Sequence, residues 1–416
     1  MKGKKLISVG FVSKFIILPF LCPLFYIIRD FAFKKLHFAL KFTNHPLIVS
    51  AIMFISEMMS GIFEVVRKSR SKAQYEKMEP DDPKKSKNLE IYYNELIDKT
   101  KKIEEKLKEI SKWTILNYIF LTALIDCICY TAISILCISN LVEEYNIHIQ
   151  MRMTPIFFMS FLSKLIFKEP FYNHQKVSIC IVGVGFILIL CRNYMDIQFQ
   201  GIFYYIGFII TQIIYSFKQL LDKYMMDKLY LSAFLILFYQ GLVGLIISFI
   251  LIGIASFIPC YKEWDFCEGN YVETFSNFAD IYSEEFSQFL YVGLLLISSM
   301  FLNILLMLTK KYFTATHRSV ADTLNAFCSW VLLLCSSKNP IGWTIKNILD
   351  IIGYIVMLLG CLIYNEIIIL HVFRLDEGTK YSIMTRGDNE SKAILKDCDI
   401  LEPIAKEKEI ENNVSI

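Results

Sequence analysis

Two halves of this chain echo each other at an offset of 170 residues, and each half carries five apolar stretches. Pro170 aligns with Pro340, Lys168 with Lys338 and Gly183 with Gly353. Ahead of them His148 aligns with Arg318, and Arg152 with Asp322. Most of the ten stretches approach the roughly 20 residues that a helix needs to cross the hydrocarbon of a bilayer. A doubled unit with an odd number of spans must place its second copy upside down. The expected fold is therefore an all-α integral membrane protein of ten transmembrane helices in two inverted five-helix repeats. That construction belongs to secondary transporters, whose solute site lies between the copies near the midplane.

Composition agrees. Of 416 residues, 55% are apolar and 15% aromatic, more than one or two soluble cores of this size can hide. Charge is sequestered in residues 67–112 and beyond Leu370, and a net charge of +3 with no basic stripe gives no sign of a nucleic-acid partner. The twelve cysteines sit mostly inside apolar stretches and show no Cys-x-x-Cys or zinc spacing, so no metal or other cofactor is expected. Cys260 and Cys267 share one polar loop, where a bridge forms only if that loop faces an oxidising lumen.

Membrane helices are expected at about 6–28, 46–67, 113–138, 144–167, 174–191, 201–220, 232–258, 287–309, 317–337 and 345–370. Arg29-Asp30 closes the first stretch, and its Lys-rich start leaves a cleaved signal peptide open as the other reading. Three units follow: 1–199 as the first repeat with an insert at 68–112, 200–371 as the second repeat, and 372–416 as a disordered tail. With the N-terminus cytosolic, the inner segments before the tail carry 26 Lys and Arg against 8 outside. Both termini are then cytosolic. The segment from Pro259 to Gln288, with one Lys and seven carboxylates, reads as a solvated loop on the far side.

Leu89, Tyr92, Leu96, Ile103, Leu107 and Ile110 recur at heptad-like spacing in the insert. This suits either a solvated helix or a docking surface for a partner or anionic lipid. In the tail, Tyr381 to Met384 and Glu390 to Leu395 resemble endolysosomal sorting signals, while the Asn413 sequon is cytosolic and unused on this topology.

Ionisable side chains at membrane depth are costly and usually face a bundle interior. Glu57, Asp126, Arg152 and Asp322 are such residues, serving either transport or the locking of helices to one another. Arg318, Asp322, Asn325 and Ser329 fall at i, i+4, i+7 and i+11, a single helix face that should line water rather than lipid. The repeat maps this face onto His148, Arg152, Pro155 and Met159. Arg152 lies about 12 Å into its helix and Asp322 about 7–8 Å into its own from the other side, at 1.5 Å per residue. They stand too far apart for a simple salt bridge, so an anionic or zwitterionic solute is the expected link. Glu57 and Asp126 suit either a proton carrier or a fixed ionic partner. Gly183, Gly185, Gly353 and Gly360 suit close helix packing, and Pro155 a kink.

Several stretches resemble the drug/metabolite transporter superfamily, and within it the nucleotide-sugar-transporter-like solute carrier family 35, F subgroup. They are NHPLIVSAIMFISEM (44–58), ALID (123–126), QMR (150–152), TATHRSVADTL (314–324) and LLGCLIYN (358–365). The resemblance implies ten helices with both ends cytosolic, and it marks His45, Pro46, Glu57, Asp126, Arg152, Thr316, Arg318 and Asp322. Met153 replaces a small residue of the family pattern and Asn325 a basic one, which removes the basis for inheriting a substrate.

The expected function is alternating-access transport of a small polar organic solute across an internal membrane, lysosomal, endosomal or Golgi. A second copy of the chain is a candidate partner. The competing class is a non-transporting membrane anchor that works through its insert and tail. No nucleophile motif or phosphate loop points to an enzyme.

Overall fold

The computed structural model describes residues 7–9, 17–40, 45–66, 69, 112–136, 151–167, 171–194, 201–259, 271–273, 286–312, 315–336, 345–372, 375–379 and 382. His148, Cys260, Cys267, the heptad of the insert and the tail motifs apart from Ser382 lie outside them.

The described architecture is all-α apart from one short ribbon. Its helices are α1 (Ile17–Leu40), α2 (Pro46–Met59), α3 (Lys112–Leu136), α4 (Pro155–Phe167), α5 (Asn173–Tyr194), α6 (Gly201–Asp227), α7 (Ala233–Ala255), α8 (Phe286–Tyr312), α9 (Arg318–Ser336) and α10 (Ile345–Tyr364). Strands β1 (Ile7–Val9) and β2 (Ile368–Leu370) pair antiparallel, with Ile7 opposite Leu370. Among the described residues five helical segments are long and apolar enough to cross a membrane: Pro46–Val66, Lys112–Leu136, Asn173–Cys191, Ala233–Ala255 and Gln288–Tyr312. Many of their large apolar side chains face outward, among them Phe120, Val184, Phe249 and Leu290. Outward-facing apolar rows around buried polar groups suit lipid as the surrounding solvent.

Four expectations are corrected. The first helix runs over 17–40 rather than 6–28, because Arg29-Asp30 does not end it: the two side chains pair with each other at 3.0 Å, and Asp30 is buried. The fourth helix is not continuous over 144–167: Met151 is helical, residues 152–154 form a turn, and α4 runs from Pro155, so the proline stands at the first position of the segment after the break. Proline suits that first position, where its missing N–H would have no intrahelical partner. The last helix stops at Tyr364, not 370. Glu366 adopts a left-handed φ of 57° that breaks the helix and turns the chain into β2. The fourth concerns the 259–288 segment, where Glu273 is buried rather than solvated.

Glu273 is held by the start of α2. The first amides of a helix have no partner within it, and the N-cap His45 makes no side-chain cap. The Glu273 carboxylate accepts from Leu47 N (3.1 Å) and Ile48 N (3.2 Å), with His45 Nδ1 at 3.8 Å. A remote loop thus supplies the missing cap.

Small residues bring helices together. The most extensive pairing is α5 on α10, followed by α1 on α8 and α2 on α7. A Cβ at Gly185 would lie 2.7 Å from Gly353 O and 2.8 Å from Met357 N, so only glycine allows the crossing. Ala32, Phe208, Met151 and Tyr354 belong to the largest core cluster, which spans several helices.

Gly185→Ala must push α5 from α10, at about 1–3 kcal/mol for an overpacked contact. We expect a lower thermal midpoint of the purified protein; an unchanged midpoint would contradict this packing. Burial raises the Glu273 carboxyl from 4.5 to about 7, against the downward pull of its two amide bonds. The folded state therefore binds this proton more tightly than the unfolded one. The contribution of Glu273 to stability is full below about pH 4.5 and is lost as pH rises through about 7. Over that window the thermal midpoint of the natural protein should fall relative to that of Glu273→Gln, which stays neutral at every pH, and a rise relative to it would refute the assignment.

Candidate functional site

Two charged groups meet inside the bundle. The inner one is built on α6, where Tyr215, Lys218 and Asp222 fall at i, i+3 and i+7 on one face. Asp222 Oδ2 takes Lys310 Nζ of α8 at 2.5 Å and Lys218 Nζ at 3.2 Å, while its Oδ1 accepts from Gln240 Nε2 of α7 at 2.8 Å. Lys218 also reaches Asp126 Oδ2 of α3 at 2.9 Å. Gln240 donates in turn to Thr122 Oγ1 at 2.8 Å. Asp126 and Asp222 are 0% exposed and Lys310 1%, so these charges have exchanged water for one another.

Glu57 of α2 belongs to the same group but has no cation in contact among the described residues. Its Oε1 accepts from Tyr130 Oη of α3 at 2.9 Å, and its buried Oε2 has no hydrogen-bond partner.

The outer group gathers around Tyr26 of α1. Tyr26 Oη donates to Asp322 Oδ1 at 2.5 Å and accepts from Arg318 Nη2 at 3.4 Å. Arg318 Nε also pairs with Asp322 Oδ2 at 3.3 Å across one turn of α9, and its guanidinium lies 4.8 Å from the Tyr215 ring centroid. Arg152, in the turn before α4, lies 5.3 Å from the Tyr26 centroid, with its Nη1 3.9 Å from Asp30 Oδ2. Arg29 covers the same ring at 4.9 Å. Two arginines, Arg29 and Arg152, therefore share the Tyr26 ring, an arrangement favoured by cation–π attraction, while Arg318 bonds its hydroxyl.

A small cavity of about 10 Å³ lies beside the inner group and reaches Arg318 of the outer one, lined among others by Glu57, Tyr130, Tyr215, Lys218, Asn303, Lys310 and Arg318. It is narrow, with room for the centre of little more than one water.

Of the residues singled out in the sequence, Glu57 and Arg318 line this cavity. Asp126 meets the inner group, and Arg152 and Asp322 meet at Tyr26 without touching each other. Asn325 is buried deeper along α9, where its Oδ1 accepts from Ser329 Oγ at 3.3 Å. His148 lies outside the described residues.

Sequence reasoning missed Tyr26, Lys218, Asp222 and Lys310. The charge count sets Lys218 at the cytosolic end of a helix expected to stop at 220 and Lys310 beyond one expected to stop at 309. The helices run on to Asp227 and Tyr312, and Lys218, Lys310 and Arg318 are buried, so these three leave the inner charge count. The face shared by Tyr215, Lys218 and Asp222 was the available signal. Tyr26 gave none, since a tyrosine in an apolar stretch reads equally well as lipid-facing.

Removing one partner of a buried ion pair costs about 3–5 kcal/mol, because the other charge stays behind unpaired. Asp222→Asn leaves two lysines facing each other and should lower the thermal midpoint far more than Asp227→Asn, whose partner Lys223 is more exposed. Equal effects of the two substitutions would show that the inner network does not hold the bundle together.

No protein-family model and no curated protein matches the chain. Among 21 solved chains with a similar structure is one described as "Crystal structure of protein", 11% identical, covering 84% of this chain and 96% of its own, with a TM-score of 0.47.

Proposed function

We propose that this chain is a membrane carrier working by alternating access, with a small polar organic solute, anionic or zwitterionic, bound between two inverted five-helix halves. The observation that carries the reading is a cavity lined by ionisable groups from α2, α6, α8 and α9, enclosed in a bundle with an apolar exterior. An anchor needs no such interior, since charges at membrane depth cost energy. The arginine cluster at Tyr26 offers a cationic wall, and Glu57 an acidic one.

The helix pairings support the two halves. Exchanging α1–α5 for α6–α10 in order turns the α1·α8 contact into α6·α3, α1·α9 into α6·α4, α2·α8 into α7·α3 and α2·α3 into α7·α8, all of which are present. The α2·α7 and α5·α10 contacts map onto themselves. Such a pattern suits a pseudo-twofold axis between the halves. The α9·α10 contact departs from it, having no α4·α5 counterpart of similar extent. On this reading all ten helices span the membrane, which agrees with the solute-carrier resemblance. The β1–β2 pairing brings the chain's two ends to one face, as an even number of spans requires. The Lys and Arg excess favours the cytosolic side for that face, even without the three buried cations. The sorting-like patterns of the tail favour an endomembrane.

The anchor reading has one observation in its favour: Asp126, Lys218, Asp222 and Lys310 largely satisfy one another, as a structural lock would. Thermal stabilisation of the purified protein across a metabolite panel separates the two, because a ligand of the folded state raises stability by mass action. A carrier shows at least one stabilising polar metabolite whose effect is lost in Arg152→Gln while folding is kept. An anchor shows none, or a shift that Arg152→Gln leaves intact.

A further inference from the structure

The inner group does not balance its charge. Three carboxyls (Glu57, Asp126 and Asp222) face two ammonium groups (Lys218 and Lys310). Arg318, the other cation on the cavity wall, is already paired with Asp322 and bonded to Tyr26. Both lysines lean toward Asp222, and Lys218 also meets Asp126. Glu57 alone has no cation in contact among the described residues.

Its surroundings tell the same story. Of the helices around Glu57, α3 presents Tyr130 and Asp126, α6 presents Tyr215, Lys218 and Asp222, α8 presents Lys310, and α9 presents Arg318. Against α2, α7 sets the uncharged Leu237 and Gln240. Glu57 is 2% exposed, receives one hydrogen bond, and keeps one oxygen unsatisfied. An ionised carboxylate would be left there with an uncompensated charge in a low-dielectric interior. A neutral acid removes that cost and brings the group to zero net charge.

We infer that Glu57 is a proton-binding site facing the cavity: its carboxyl holds an exchangeable proton in this closed conformation and surrenders it to water when the cavity opens. In that step the O–H bond of the acid breaks, the proton passes to a water molecule, and the carboxylate remains. Opening thus exposes an anionic oxygen that a cation from either side, or a returning proton, must neutralise before the cavity can close again. This deepens the carrier reading by giving it a proton as a second cargo, although the titration itself is readable without any solute.

Infrared difference spectroscopy of the full-length protein in lipid, stepped between acidic and alkaline buffer, tests this directly. In a Glu273→Gln background, which removes the other carboxyl raised toward neutrality, the expected result is a carboxylic acid C=O band that persists at neutral pH, disappears on adding Glu57→Gln and remains on adding Glu64→Gln, whose side chain is bonded to Ser232 instead. Should Glu57→Gln fail to fold, Tyr130→Phe serves in its place. It removes the only donor to the carboxyl among the described residues, so the band must shift in position if it belongs to Glu57. Absence of any acid band at neutral pH, or a band untouched by both substitutions, overturns the inference. The metabolite panel is independent: a stabilising solute without the band would leave a carrier with no proton site, and the band without a solute would leave a proton site in a protein that carries none of the metabolites tried.

Discussion

Asp222 is the point on which the interior turns. Its carboxylate collects both buried lysines and an amide, tying α6 to α8 directly and to α7 through Gln240. Lys218 extends the tie to α3 through Asp126. In an apolar bundle no water can replace these partners, so the positions of four helices are coupled through a few oxygen atoms. Helix crossings without side chains, such as Gly185 against Gly353, supply the close approach elsewhere. The bundle is thus dry and tightly packed where glycines meet and polar where the charges meet.

The outer group has a different character. Around Tyr26 two guanidiniums lie over the ring and a third bonds its hydroxyl, with two carboxylates beside them and contacts of 3.3–3.9 Å for Arg318 and Arg152 rather than the 2.5–3.2 Å of the inner group. Arg152 stands in a turn and Arg318 at the first residue of a helix, so both cations are placed by backbone irregularities rather than by helix interiors. Looser contacts on irregular backbone are easier to rearrange than a ladder of buried ion pairs. That contrast sets an inner group that ties helices together against an outer group whose contacts are longer.

Much of the site was legible one residue at a time. Glu57, Asp126, Arg318 and Asp322 announce themselves as ionisable side chains in apolar helices, and all four lie in or beside the cavity groups. What failed was the placing of helix ends. A hydropathy reading stops a helix at its first lysine, whereas a lysine with a buried aspartate lets the helix continue, and only the distant partner reveals this. A hydropathy reading therefore leaves Lys218 at the very end of a helix and Lys310 beyond one, and makes Arg29-Asp30 a terminus although α1 passes through it. Glu273 shows the same limit in a loop, where a buried helix start gives a carboxylate a reason to leave water.

The sequence by itself determined that the chain is helical and membrane-like, that its halves echo each other, and which helices carry charge inside. These properties are local, written in the apolar runs and their spacing. Tertiary structure alone decided which charges meet, that Tyr26 stands between Arg152 and Asp322, and that Glu57 is left without a cation. Electrostatic partnership depends on distance through space, and residues hundreds of positions apart become neighbours only when the helices pack.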